Sequence, residues 1–342
     1  MRRPRLLAPV DQPTAVYHCY SRVVDRRPIL YDADKDLFRS LMLELAEFCQ
    51  VRILTFCIMS NHFHILLEVP RPPEQLPGVE ETLEALAKLS GTQDIGALRQ
   101  QVAAFRAAGD GAAEALWLSR YHARRWSLPH YMKLLKQRFS VMYNRKAKRK
   151  GTLWEERFRS VLVEGEGRAL VTMAAYIDLN PVRARIVQDP KDYRWCGYRE
   201  AVTGHQGALE GIKRVVEVLL RAEGVGAEET LRSYRKHLFV EGDELGESIG
   251  EDRQTVRGAI RHEAVLKVLA EGGQISTGNY LRCRVRYFCD GAVFGTRDFV
   301  ERIFRRCRDR FGPRRKTGAR PLRGMAEKGL FTARALRVDV FG

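Results

Sequence analysis

The 342-residue chain lacks a continuous apolar run of roughly 18 residues, which excludes a conventional transmembrane helix. Its basic start, Met-Arg-Arg-Pro-Arg, is followed by no apolar stretch, so a secretory leader is not expected. Seven cysteines are scattered without a CxxC pair or zinc-ribbon spacing, and read as reduced thiols of a cytoplasmic protein. No internal repeat is visible, and nothing resembles a phosphate-binding P-loop, so no nucleotide cofactor is expected. Acids are also short: 42 Asp and Glu stand against 59 Lys and Arg, a formal charge of +17. That excess favours a polyanionic partner. The balance of 45% hydrophobic and 30% charged residues excludes wholesale disorder, and the length suggests two domains.

What is present has order. Residues 15–23 are β-branched and aromatic and predict a strand. Asp32 and Asp34 offer capping for a helix whose Phe38, Leu41, Met42, Leu45 and Phe48 share one face. Val51–Ile58 and His62–Val69 predict a hairpin around Met59-Ser60-Asn61. Residues 70–126 carry no strand signal and read as a helical insertion leaving the sheet at Pro70, Pro72, Pro73 and Pro77. Ser127–Tyr143 resumes the helical period, Glu155–Val163 predicts a strand, and Arg168–Leu179 a helix stopped by Asn180-Pro181. The order implies an α+β fold with helices packed on an antiparallel sheet. A glycine-marked boundary near residue 204 separates residues 1–203 from a basic region, 204–342, expected to be mainly helical. There Leu209 to Leu220 form an amphipathic helix, with helical stretches to about residue 270. A strand is expected at Tyr280–Phe288 and an arginine-rich helix at Asp298–Arg310. Gly312–Gly324 holds five cations and no acid, and is expected to be mobile.

The sharpest local feature is Asn61-His62-Phe63-His64-Ile65-Leu66-Leu67. Alternate residues of a strand share a face, so His62 and His64 lie side by side, Cα atoms roughly 7 Å apart. Two imidazoles so placed can chelate a divalent ion, or can serve as hydrogen-bonding or solvent-facing side chains. Tyr176 and Asn180, four residues apart, share a helix face. Alone, they read as a core aromatic and a helix stop.

Their setting resembles a known family. His18-Cys19-Tyr20-Ser21-Arg22 and Met59-Ser60-Asn61-His62-Phe63-His64 resemble the opening of the single-tyrosine HUH transposases. Leu135-Lys136-Gln137-Arg138-Phe139-Ser140, Gly151-Thr152-Leu153-Trp154-Glu155-Glu156-Arg157-Phe158 and Tyr176-Ile177-Asp178-Leu179-Asn180-Pro181-Val182-Arg183-Ala184 are similar to the REP-associated tyrosine transposase branch, as is Asp192-Tyr193-Arg194-Trp195 with Tyr198. These segments run in family order over residues 14–200. The histidine pair has a hydrophobe at its centre, a variant of the pattern, and Asn180 stands where insertion-sequence relatives often carry Gln.

The resemblance implies a ferredoxin-like catalytic domain over residues 1–203, with His62, His64 and Asn180 holding Mg²⁺ or Mn²⁺ and Tyr176 as nucleophile. It implies cleavage and rejoining of single-stranded DNA at hairpins of REP type through a 5′-phosphotyrosine. It further implies a bacterial, nucleoid-associated setting and a monomer acting in cis, a homodimer being the alternative. Basic and aromatic candidates for the DNA surface are Arg145, Lys146, Lys148, Arg149, Lys150, Trp154 and Arg157. A charge run is also what a solvated face looks like, and Trp154 also suits a core. Two rival readings are a domesticated DNA-binding regulator and a metal-dependent hydrolase that uses water and leaves Tyr176 idle.

Overall fold

The computed structural model describes residues 5–9, 12–89, 94–239, 286–322 and 329–334. Strand β1 (Thr14–Arg22) leads to helix α1 (Asp32–Cys49), then to the hairpin of β2 (Arg52–Ile58) and β3 (His62–Pro70). Three helices, α2 (Val79–Ala87), α3 (Ile95–Ala107) and α4 (Gly111–His122), form the expected insertion. Helix α5 (Leu128–Lys146), strand β4 (Arg159–Val163) and helix α6 (Gly167–Asp178) complete the core unit. Next come α7 (Asn180–Arg183), α8 (Gly197–Val202), α9 (Gln206–Leu220) and α10 (Ala227–Phe239). The last elements are α11 (Arg286–Cys289), β5 (Val293–Gly295), α12 (Arg297–Arg306), β6 (Arg320–Pro321) and β7 (Phe331–Ala333). No helix among the described residues is long and apolar enough to cross a membrane.

One seven-stranded sheet runs β2-β3-β1-β4-β5-β7-β6. Its first four strands are antiparallel neighbours in the ferredoxin-like order, with α1, α5 and α6 as the covering helices. In the β1–β3 register Arg22 faces His62 and Tyr20 faces His64, while β4 places Arg159 opposite Tyr20 on the other flank. Strand alternation then divides the chemistry. Phe63 meets Phe38 of α1 and Trp154 at ring-centre distances of 4.6 and 5.4 Å, and Phe139 of α5 meets Phe38 at 5.0 Å. His62 and His64 therefore point to the opposite face, which α6 covers.

Of the two acids expected to cap helix α1, Asp34 does so. Asp34 accepts the Tyr31 N–H at 3.1 Å, closing the first turn from inside. Helix α9 reaches β2 at Gly211, which sits on the Ile53 and Leu54 carbonyls where a Cβ would collide with backbone. The register slips between Ile53 and Thr55 at this point, so helix and bulge fit together.

The described residues of the C-terminal region are mainly helical, as expected, but they also reach the sheet. The region adds three short strands to the sheet, and β4 pairs with β5 in parallel, Leu162 facing Val293. Residues 286–288, expected at the end of a strand, fall in one helical turn, Arg286–Cys289, and 280–285 lie outside the described residues. The helical stretches expected beyond residue 239 also fall outside them. The arginine-rich helix ends at Arg306, with a separate 3-10 turn at Arg308–Arg310. The described part of Gly312–Gly324 is tethered. Glu301 accepts the N–H groups of Gly318 and Ala319 at 3.0 and 2.8 Å, and Arg315 donates to the Thr317 and Gly318 carbonyls at 2.8 and 2.7 Å.

Candidate active site

The histidine pair sits where β3 begins, and its proton positions follow from its partners. His18 of β1 has Nδ1 2.9 Å from the Phe288 carbonyl and Nε2 2.9 Å from His64 Nδ1. A carbonyl only accepts, so His18 Nδ1 carries a proton. Burial pushes His18 down to about 4, so the ring is neutral near pH 7 and its Nε2 accepts. His64 Nδ1 must then donate, which leaves the Nε2 lone pair of His64 free of a proton. His62 follows the same logic. Its Nδ1 lies 2.6 Å from Asn61 Oδ1, an oxygen fixed by the 2.8 Å bond from Asn61 Nδ2 to the Arg26 carbonyl. His62 Nε2 is likewise left bare. Burial, aided by Arg22, pushes His62 down to about 4, and burial pushes His64 well below the usual range.

Helix α6 delivers Tyr176 to this face. Its ring centre lies 5.8 Å from that of His64 and 5.9 Å from that of His18. The tyrosine is enclosed, only 2% exposed. Phe288 stacks on it at 4.2 Å, the Arg183 guanidinium lies 4.4 Å from its ring centre, and its hydroxyl is 3.2 Å from Cys289 Sγ. Burial and the adjacent thiol hold its hydroxyl well above the ordinary tyrosine range. Asn180 does not continue α6. The chain turns at Leu179 (φ −81, ψ 1), and Asn180 opens α7, which carries Arg183 over the tyrosine. Asn180 nevertheless faces His62, where its side chain opposes the downward shift of the imidazole, and is 9% exposed.

The end of α6 is pinned by Asp178. Its buried carboxyl accepts from Thr55 Oγ1 and Tyr234 Oη, both at 2.6 Å, from Cys196 Sγ at 3.2 Å and from the Tyr198 N–H at 3.3 Å. Burial pushes it up to about 6 despite these donors. Strand β2, helix α8 and helix α10 thus all hold the tyrosine helix in place.

The structure brings His62, His64, Tyr176 and Asn180 together. It does not bring the basic candidates to them. Arg145, Lys146, Lys148, Arg149 and Lys150 lie at and beyond the end of α5, the helix on the opposite face. There Lys146 pairs with Asp34 at 2.6 Å and Arg149 caps the Thr152 carbonyl at 3.1 Å. Trp154 is a core residue rather than an open stacking platform. It is 6% exposed, and its Nε1 donates to Ser140 Oγ at 2.8 Å. Arg157 is exposed beside it. Sequence reasoning missed the supporting residues His18, Arg183, Asp178, Phe288 and Cys289. His18 shares a strand face with Tyr20, and alternation along β1 was the signal available for it.

Among the described residues no group of three or more His, Cys, Asp or Glu side chains is arranged to hold a metal ion. The donor set at the pair is two imidazole lone pairs with the Asn180 amide beside them. That set suits a weakly held divalent ion with positions left for oxygen. Arg22 and Arg183 lower both histidines electrostatically, a field that also suits a phosphate.

Residues 12–77 match the family described as transposase IS200 like. The matched stretch covers β1, α1 and the β2–β3 hairpin, including His18, His62 and His64. No curated protein matches the chain. Seven chains of solved structures do, among them a REP-associated tyrosine transposase bound to a REP hairpin. That likeness has 13% identity and a TM-score of 0.35, and covers 56% of this chain and 80% of the other.

Proposed function

We propose that the chain is a single-strand DNA transposase or nickase in which Tyr176 is the nucleophile. The observation that carries this reading is the convergence of Tyr176 with two histidines whose tautomers leave both Nε2 atoms bare. Tyr176 Oη attacks a backbone phosphorus, the P–Oη bond forms and the P–O3′ bond breaks. The products are a 5′-phosphotyrosine and a 3′-hydroxyl, which takes up a proton equal to the one the tyrosine releases. Rejoining is the reverse, so no nucleotide cofactor is required. His62, His64 and Asn180 would hold Mg²⁺ or Mn²⁺, which supplies polarisation of the phosphate and charge stabilisation at its oxygens. Arg22 and Arg183 hold the phosphate by charge. The reading takes the protein as a monomer acting in cis, with a homodimer as the alternative. The substrate is a hairpin of REP type with a single-stranded flank, in a bacterial nucleoid.

A phosphate reaches Tyr176 Oη only when Cys289 and Phe288 move off it. That enclosure favours a second reading, a DNA-binding regulator of the same fold that no longer cleaves. One experiment separates them. The protein is incubated with a hairpin oligonucleotide and Mn²⁺ and run on a denaturing gel. A covalent adduct abolished by Tyr176→Phe supports the transposase. Binding without an adduct supports the regulator, and cleavage without an adduct a hydrolase using water.

A further inference from the structure

The sheet's other face carries a cavity that the cleavage chemistry leaves unused. It opens between α5, the segment entering β4 and Arg5, with a volume of about 450 Å³. That is the size range of small-molecule sites. Met132, Trp154 and Phe158 are among its apolar lining residues, and Arg5, Lys133 and Arg157 among its cationic ones. Among the described residues lining it, none is acidic. The Arg5 guanidinium lies 3.6 Å from the Phe158 ring centre. Behind them Lys136 spends its hydrogen bonds on Ser21 Oγ and the Glu156 carbonyl, both at 2.7 Å, rather than on a carboxylate.

An apolar lining set with cations favours a flat aromatic ligand that carries negative charge outside the ring. We infer that this cavity takes an unstacked nucleobase of single-stranded DNA, with the flanking phosphates on Arg5, Lys133 and Arg157. The inference rests on the DNA-processing reading above and adds to it a second contact, remote from the nucleophile. The path between the two is short in sequence. Arg159, two residues past Arg157, begins β4 and reaches the other face, its Nη1 3.3 Å from Tyr20 Oη. The Tyr20 ring lies 5.8 Å from that of His64. A strand holding one base in the cavity can therefore run along Arg157 and Arg159 to the histidine pair.

The test compares a hairpin oligonucleotide bearing a single-stranded flank with the same hairpin lacking it, by fluorescence anisotropy without divalent ion. Gln137→Trp places an indole at the mouth of the cavity from an exposed helix position. It should weaken binding of the flanked hairpin roughly tenfold and of the bare hairpin less than about twofold. Lys133→Glu, a change of charge that leaves the apolar lining intact, should weaken the flanked hairpin in the same selective way. 2-Aminopurine at one flank position should change its emission on binding the wild-type chain and not Gln137→Trp. If Gln137→Trp fails to fold, Lys133→Glu decides. Equal effects on both hairpins, or none, overturn the cavity assignment while leaving the DNA reading in place. A wild-type chain that binds neither hairpin overturns that reading and this inference with it.

Discussion

The two faces of the same four strands are built to opposite specifications. On the α1 and α5 side, Phe38, Phe63, Phe139 and Trp154 interlock as rings, and the polar atom they bury, Trp154 Nε1, is satisfied by Ser140. On the α6 side, the same depth holds His18, His64, Tyr176 and Asp178, each with named polar partners. Strand β3 serves both, because successive residues point to opposite faces. The lesson is energetic. Apolar burial stabilises on its own, whereas buried imidazole and carboxyl groups only avoid a penalty when every partner is present. The first face should therefore govern folding and the second chemistry, and substitutions should separate them.

The largest effect is expected from Phe63→Ala. It opens a hole beside the Phe38 and Trp154 rings and should cost about 3–5 kcal/mol in denaturant unfolding. A cost near that of an exposed site would show that this face is not the core. His18→Phe keeps a ring of similar size but removes the acceptor that fixes His64 Nδ1. Cleavage should fall roughly 10- to 100-fold, with the Mn²⁺ concentration for half-activity rising and the unfolding midpoint little changed. An activity loss with unchanged Mn²⁺ dependence would mean that His18 only fills space. Cys289→Ala removes the hydroxyl's partner from the cover of Tyr176. Adduct formation should rise by a factor of roughly two to five, in line with loss of one modest hydrogen bond. A fall would argue that the thiol helps the tyrosine.

The sequence already carried the half of this picture that depends on local period. Alternation at His62-Phe63-His64 placed the pair on one face, and the apolar spacing from Phe38 to Phe48 marked the buried stripe of α1. The strand, helix and hairpin order yielded an antiparallel sheet packed with helices, and the family resemblance supplied its ferredoxin-like form. What stayed hidden depends on contacts between distant residues. Phe288 and Cys289 lie more than a hundred positions from Tyr176, and no pattern within their own helical turn announces that they cover it. Strands β5, β6 and β7 have two or three residues each, too short for a period-2 signal, and they form only because β4 offers an edge. The bend at Leu179 escaped for a related reason. Pro181 predicts a stop, but not that one further turn would bring Arg183 over the tyrosine.

The smallest effect concerns Lys136, a cation threaded into the apolar face. Burial, with Arg5 nearby, pushes Lys136 down to about 7. In the unfolded chain the same amine keeps its proton to about pH 10. Between those values the unfolded state binds more protons than the folded one, so stability rises with pH as folded Lys136 loses its charge. Below about pH 7 both states are protonated and the contribution is flat. The rise is cut short from above, because buried thiols such as Cys19 and Cys49 are pushed up by burial and favour the unfolded chain once free thiols ionise near pH 8.5. Urea midpoints at pH 7 and pH 8.5 should therefore differ in the wild-type chain by a gain on the order of 1 kcal/mol that Lys136→Met lacks. If the variant shows the same gain, Lys136 is charged throughout. Its bonds to Ser21 and Glu156 would then outweigh its burial, and the contrast between the two faces would be weaker than their side chains suggest.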